Sequence, residues 1–233
     1  MRLERGRELG AELVRLLSPV CERIEIAGGV RRRKAEPHDI EVVAIPKVRG
    51  IRTGVMDLAT GEERRILTNG LDWFLRRALD PDNPAARLLF KPAPPSKDGR
   101  RAPFAERHYI FLYKDEKIDL YAVLPPAQWG VIFTIRTGDA GYTHALVSKG
   151  WPKGLYFIDG AVYRVTRKKD GTPVQSAFVR PPEEKLFSDD VDAELVPTPE
   201  ERDVFAALGL DWVPPEQRVT TETTPGEWEE AIQ

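Results

Sequence analysis

The sequence has very little cysteine and histidine and no long hydrophobic run. One cysteine, Cys21, excludes an internal disulfide framework, and the histidines His38, His108 and His144 lack the spacing of a zinc site. No apolar stretch approaches the roughly 20 residues that cross a bilayer, and the N-terminus does not read as a signal peptide. We therefore expect a soluble cytoplasmic protein, a monomer, with no membrane partner.

Charge is distributed unevenly along the 233 residues, although the formal net charge is only -2. Residues 181–233 carry 15 acidic and 3 basic side chains, whereas residues 1–180 carry 22 acidic and 32 basic ones. The basic excess of the main body permits a phosphate-binding surface. Ordinary solvation of an exposed face explains the same charges equally well, so charge alone does not decide the partner.

Hydrophobic periodicity predicts alternating helices and strands in the first half of the chain. The predicted elements are a helix ending near residues 18–20, strands over 24–27 and 39–45, a helix over 71–79, and a hairpin of strands over 108–113 and 117–123. Residues 47–106 are otherwise punctuated by glycines and include a Pro- and Lys-rich loop at 91–101. Gly28 and Gly29 predict a turn after the first strand.

Two consecutive prolines, Pro125 and Pro126, predict a boundary between subdomains. A smaller α/β unit should follow, and Thr198 is predicted to cap a short helix that ends before Gly209. The last residues are acidic, polar and expected to fray. The predicted domains are a first domain at 1–125, a second at 126–218 and an acidic tail at 219–233.

Asp39 and Glu41 form a pair because alternate side chains of a strand project to the same face. Two carboxylates in one place repel each other, and a bound cation is the usual compensation. Oxygen ligands of this kind suit Mg²⁺ or Mn²⁺ rather than zinc. A solvated strand edge often shows the same Asp-x-Glu pattern, so the pair alone does not establish a metal site.

Two further features strengthen the metal interpretation. Gly28 and Gly29 precede the run Arg31–Lys34, and glycines beside arginines let backbone N–H groups and guanidinium groups approach a phosphate. Asp119 lies within the apolar strand IDLYAV, where an aspartate requires compensation of its charge. Shared metal ions would supply that compensation for all three acids.

Several segments together resemble family X DNA polymerases, the polymerase beta type. They are AGGVRRRKAEPHDIEVV, KIDLYAVLPPAQWG, RTGDAGYTHAL and TPEERDVFAALGLDWVPPEQR, which follow the order of the family's palm and thumb. The resemblance implies an α+β fold: a nucleotidyltransferase palm with a mixed, mainly antiparallel sheet flanked by helices, followed by a small α/β thumb. Residues 47–106 are the least similar part.

The resemblance implies a DNA-directed DNA polymerase that serves DNA repair or replication. It adds nucleotides to a primer 3′-hydroxyl on a DNA template, uses two Mg²⁺ ions that Mn²⁺ can replace, and releases pyrophosphate. Asp39 and Glu41 match the acids that bridge both metals, and Asp119 matches the acid that binds the catalytic metal. The positions that match nucleotide-binding residues are Gly28, Gly29, Arg32, Thr137, Gly138 and Tyr142. Lys117 and Arg136 occupy supporting positions.

The chain departs from the family pattern at two places that bear on substrate choice. Gly29 stands where the family has a phosphate-binding serine, and Ile135 and Arg136 stand where it commonly has an aromatic pair that excludes ribonucleotides. The sequence also begins at the palm helix, so strong recognition of gapped DNA is not expected. Two alternatives stay open: a template-independent nucleotidyltransferase acting on RNA, protein or a small molecule, and a non-catalytic nucleic-acid-binding module.

Overall fold

The chain divides after Leu124 into two structural units, Met1–Leu124 and Pro125–Gln233. A computed structural model describes residues 1–56, 63–84, 86–94, 104–105, 107–165 and 193–220. Most of the loop predicted at 91–101 and all of the tail after residue 220 lie outside these residues. Among the described helices, none is both long enough and apolar enough to cross a membrane.

The first unit contains three helices and eight described strands. The helices are α1 (Leu3–Leu17), α2 (Gly28–Arg31) and α3 (Gly70–Ala78). The strands are β1 (Cys21–Ile26), β2 (Ile40–Pro46), β3 (Val48–Met56), β4 (Glu63–Asn69), β5 (Phe90–Pro92), β6 (Phe104–Ala105), β7 (His108–Tyr113) and β8 (Glu116–Ala122). Short 3-10 turns follow α1 and precede β5.

Six of these strands form one sheet, in the order β1-β2-β8-β7-β5, with β6 also paired to β7. Only the β2–β8 pair is parallel, and the other pairs are antiparallel. The expected mixed and mainly antiparallel sheet is therefore confirmed. Because β2 and β8 are central neighbours, side chains far apart in sequence meet on the same face of this sheet.

Helix α1 packs against the sheet through the apolar stripe that the sequence predicts. Leu9, Leu13 and Leu17 are buried and join a core that includes Ile40 of β2. Gly10 permits the close approach, because a Cβ atom there would lie 2.8 Å from the Ile26 side chain. The stripe thus covers the face of the sheet opposite to Asp39 and Glu41.

The second unit has its own core and a smaller sheet. Its elements are α4 (Trp129–Thr137), α5 (Ala140–Ser148), β9 (Leu155–Ile158), β10 (Ala161–Val165), β11 (Ala193–Val196) and α6 (Glu201–Ala207). Strand β10 pairs antiparallel with both β9 and β11. The buried core consists of Val131, Leu146, Leu155, Val162, Val204, Phe205 and Leu208.

The hairpin of β3 and β4 differs from the irregular structure predicted for this part of residues 47–106. Its strands pair antiparallel, apart from the sheet of the first unit. Val48 is 69% exposed and Leu67 is 76% exposed, so these two apolar positions do not follow the alternation of buried and solvated residues that identifies a strand in a sequence. Glycines at positions 50 and 54 obscured the pattern further.

One predicted turn and one predicted helix cap also differ from the structure. Gly28 and Gly29, predicted as a turn, begin the short helix α2. The N-cap of α6 is Glu200, whose carboxylate forms a reciprocal capping box with Asp203, and Thr198 is instead fully buried. The backbone N–H of Thr198 donates to the Gln128 side chain at 2.5 Å, which holds this residue in the core and away from the helix end.

The second unit contains a buried ion pair. Arg218 Nη1 donates to Glu201 Oε1 at 2.5 Å, and their side chains are 0% and 8% exposed. The guanidinium also lies over the rings of Phe205 and Trp212, at 5.1 and 5.6 Å from their centroids. Arg218 therefore joins the C-terminal segment to α6 within the core.

We expect Arg218→Met to destabilise the protein by about 3 to 5 kcal/mol, because Glu201 would keep a buried and uncompensated charge. Arg76→Met is the matched control: Arg76 pairs with Asp72 at the surface and its side chain is 67% exposed. An exposed pair of this kind contributes about 0.5 kcal/mol. Urea unfolding followed by tryptophan fluorescence measures both changes, and equal effects of the two variants would contradict this assignment.

Cys21 should be inert in the folded protein. Its side chain is buried, and burial raises the pKa of the thiol to about 11. At pH 8 only about 0.1% of the thiol is then thiolate, which is the reactive form. Labelling with a chromogenic disulfide reagent at pH 8 should be slow before unfolding and rapid in urea. Rapid labelling without denaturant would contradict the buried position.

Candidate active site

Asp39 and Glu41 lie at the beginning of β2 on one face of the sheet. Asp39 directly precedes the strand and Glu41 is its second residue. Between them, Ile40 is fully buried in the core, and so is Val42 on the other side of Glu41. Anchoring of the alternate residues in the core turns both carboxylates to the opposite face, as the alternation in the sequence predicts.

Asp119 lies in the adjacent strand β8, at the same level as Glu41. Parallel pairing places the two residues opposite each other in register. The residue is only 4% exposed, so its carboxylate is largely removed from water. The structure thus brings the three predicted acids together where the start of β2 lies beside the middle of β8.

Lys117 connects two of the acids. Its Nζ atom donates to Asp39 Oδ2 at 3.0 Å and also forms a hydrogen bond with Asp119 Oδ2. Lys117 precedes Asp119 by two residues in β8, so both side chains leave the strand on the same face. One ammonium group therefore compensates the charge of two carboxylates.

His108 is a partner of Asp119 that the sequence analysis missed. Its Nε2 atom lies 3.0 Å from Asp119 Oδ1, and its ring stacks on Tyr121 with centroids 4.3 Å apart and planes 8° from parallel. The length of the turn between β7 and β8 could have revealed this contact. Lys114 and Asp115 form a two-residue turn with φ of 49° and 68°. Such a turn sets the pairing of the two strands and places His108 opposite Tyr121.

These contacts decide the ionisation of the site. Burial opposes ionisation of Asp119, but hydrogen bonds from His108 and Lys117 outweigh it and hold the pKa of this carboxyl well below its usual range. Burial also lowers the pKa of Lys117, and the hydrogen bonds to Asp119 and Asp39 more than reverse that effect and raise it. The pair is accordingly a carboxylate and an ammonium at neutral pH.

Gly28 is required by the position of Glu41. Its φ is 57°, a left-handed conformation, and a Cβ atom there would lie 1.6 Å from Glu41 Oε2. The Glu41 carboxylate therefore occupies the space that a side chain at position 28 would need. Gly29 is different, since a Cβ there would meet nothing closer than Pro37 Cβ at 3.4 Å. Arg32 ends the same helical turn, and its N–H donates to the Gly28 carbonyl at 2.9 Å.

Carboxylate oxygens are suitable ligands for a hard divalent cation. The three side chains are not, however, arranged around a common point as metal ligands would be. Within the described residues, no three His, Cys, Asp or Glu side chains are arranged as metal ligands. Two contacts account for this: the Lys117 ammonium lies between Asp39 and Asp119, and Glu41 lies against Gly28. The shared ammonium nevertheless identifies a position where two carboxylates attract a cation, so the donor set fits Mg²⁺.

The remaining predicted residues belong to the second unit, at the junction of α4 and α5. Thr137 ends α4 and is fully buried, and Arg136 beside it is half-buried. Gly138 follows, and a Cβ there would lie 2.7 Å from Thr143 Oγ1 and 2.8 Å from Tyr142 Cδ1. Close packing therefore requires glycine at position 138. The Tyr142 N–H donates to Asp139 Oδ1 at 2.8 Å, which caps α5.

Comparisons with known proteins agree with the predicted resemblance. The family described as DNA polymerase beta thumb matches residues 135–219. Two solved structures of polymerase beta from Leishmania infantum share the fold, one a ternary P/T complex and the other a ternary gap complex. No curated protein matches the chain.

The structural match extends over nearly the whole chain. The P/T complex is 16% identical, with a TM-score of 0.56, and the match covers 94% of this chain and 76% of that one. The gap complex is 17% identical, also with a TM-score of 0.56, and the match covers 94% of this chain and 70% of that one. The predicted resemblance is thus confirmed at the level of the fold: the chain has a polymerase beta-like fold, and residues 135–219 match the polymerase beta thumb family.

Proposed function

We propose that this protein is a DNA-directed DNA polymerase of the family X type, which transfers a nucleotide from a nucleoside triphosphate to a primer 3′-hydroxyl. The observation that carries the proposal is the placement of Asp119 in register with Glu41, with its carboxylate joined to Asp39 through Lys117. Three acids on adjacent strands are suited to metal-dependent phosphoryl transfer. The thumb domain match supports DNA as the acceptor.

Asp39, Glu41 and Asp119 are the residues that would hold the two Mg²⁺ ions, which Mn²⁺ can replace. When bound, such ions lower the pKa of an attacking hydroxyl and stabilise the charge of the triphosphate and the leaving pyrophosphate. The low pKa of Asp119 keeps it ionised, as a ligand must be. Lys117 compensates the excess negative charge of the site.

Nucleotide-binding residues are proposed for each unit separately. Gly28 and Gly29 are proposed to offer backbone N–H groups to a phosphate near Glu41, whose carboxylate fills the space beside Gly28. Arg32, at the end of the same helical turn, is proposed to pair with that phosphate. In the second unit the proposed residues are Thr137, Gly138 and Tyr142, with Arg136 in a supporting position. The tight contact of Gly138 with Tyr142 fixes the junction of α4 and α5, against which a sugar could rest.

Binding of DNA is proposed from the similar structures. Both Leishmania infantum structures are ternary complexes, one with P/T and one with a gap. The basic excess of residues 1–180 is consistent with phosphate contacts along such a partner. At Gly29, Ile135 and Arg136 the chain departs from the family pattern, so the preference for deoxy- or ribonucleotides must be measured separately.

Primer extension tests the proposal. Labelled primer is incubated with and without template, with deoxy- or ribonucleotides, and with Mg²⁺ or Mn²⁺. Templated extension is expected for the wild type, and Asp119→Asn should lower its rate by about 10³-fold or more, because metal stabilisation of the transition state is worth several kcal/mol. Asp115→Asn is the matched control in the same hairpin: its carboxylate is 74% exposed and pairs with Lys91, so extension should be unchanged.

The other outcomes identify the alternatives. Untemplated addition that still depends on Asp119 would indicate a template-independent nucleotidyltransferase. Nucleic-acid binding without incorporation, and without any effect of divalent ions, would indicate a binding module. Equal rates for wild type and Asp119→Asn would contradict the assignment of the site.

The glycine pair offers a second test. We expect Gly28→Ala to abolish extension, since the new methyl group would displace the Glu41 carboxylate and strain a left-handed backbone. Gly29→Ser should fold as the wild type does, because nothing lies within 3.4 Å of the new Cβ. If Gly29 faces the triphosphate, the added hydroxyl should lower KM for the nucleotide. Extension and circular dichroism measure both effects; unchanged activity of Gly28→Ala would exclude Glu41 from the mechanism.

A further inference from the structure

His108 lies beside Asp119 in an arrangement that restricts its motion on two sides. Its ring is stacked nearly parallel to Tyr121, and its Nε2 atom is 3.0 Å from Asp119 Oδ1. The His108 side chain is 23% exposed and that of Asp119 is 6% exposed. A stacked ring that forms a hydrogen bond in a largely buried place has few alternative orientations.

The direction of the hydrogen bond follows from the chemistry of the two atoms. Oδ1 is a carboxylate oxygen, which accepts hydrogen bonds, so the Nε2 atom of His108 carries the hydrogen and donates it. The two oxygens of Asp119 are then distinguished. Oδ1 accepts from His108, and Oδ2 faces the Lys117 ammonium that Asp39 shares.

We propose that His108 is a positioning residue for Asp119: its Nε2–H fixes the carboxylate so that Oδ2 faces the cation position shared with Asp39. The inference rests on the proposed function, because it concerns the same acid. Hydrogen bonds that orient a metal-binding carboxylate act in this way in many metal sites. Without His108, only the Lys117 contact at Oδ2 would restrain the terminal torsion of Asp119, which has a broad minimum.

Two substitutions separate the hydrogen bond from the ring. His108→Phe keeps a flat ring that can stack on Tyr121 and removes the donor. His108→Gln removes the ring and keeps an amide N–H near the position of Nε2. Tyr113→Phe is the control, since it removes another donor of strand β7 that bonds a carboxylate, Glu12, outside the site.

The readouts are kcat and KM in primer extension, Mn²⁺ affinity by electron paramagnetic resonance titration, and the melting temperature. His108→Phe should lower kcat or Mn²⁺ affinity by about 10- to 100-fold, the usual effect of losing a group that orients a ligand. KM for the nucleotide should stay unchanged. His108→Gln should recover most of the loss, and Tyr113→Phe should behave as the wild type in all but the melting temperature.

The outcomes distinguish this inference from the proposed function. If the wild type neither incorporates nucleotides nor binds Mn²⁺ through Asp119, the proposed function fails and the positioning role fails with it. If the wild type does both and His108→Phe equals it in kcat and Mn²⁺ affinity, only the positioning role is overturned. If His108→Phe does not fold, the folded His108→Gln variant is the test. A near-normal kcat of His108→Gln supports the role of the N–H group, and a kcat lowered 10-fold or more overturns it.

Discussion

One ammonium group shared by two carboxylates is the interaction on which the candidate site depends. Asp39 and Asp119 come from different strands, and Lys117 donates to both. Two carboxylates this close repel each other unless a cation lies between them. The Lys117 ammonium compensates both charges and holds the two side chains close to each other. Burial of Asp119 strengthens the effect, because less water remains to screen the charges.

The sequence alone predicted the parts of the site that depend on the local pattern of apolar and polar residues. The side-chain alternation around Ile40 paired Asp39 with Glu41, and the helical stripe of α1 located the core beneath them. The place of Asp119 could not be obtained in this way, since the parallel pairing of β2 with β8 joins residues 78 positions apart. Only the resemblance to a known family supplied that contact before the structure did.

Other features stayed hidden for different physical reasons. His108 was one of three histidines without metal spacing, and its role depends on the pairing of a hairpin that was predicted without a register. Arg218 reads as a surface charge in the sequence, whereas it is fully buried because Glu201 and two aromatic rings surround its guanidinium. In the β3–β4 hairpin, the apolar side chains of Val48, Met56 and Leu67 are exposed, so these positions gave no sign of a buried face.

The two-residue turn at Lys114 and Asp115 has a consequence for how this protein can vary. Lys114 holds Glu12 of α1 through hydrogen bonds of 2.6 and 2.8 Å, which ties the turn to the helix beneath the sheet. Gain or loss of one residue in this turn would slip β7 against β8 by one position and turn His108 away from Asp119. The turn lies about 13 Å along the strand from Asp119. Its length should therefore be as invariant among relatives as the acids themselves.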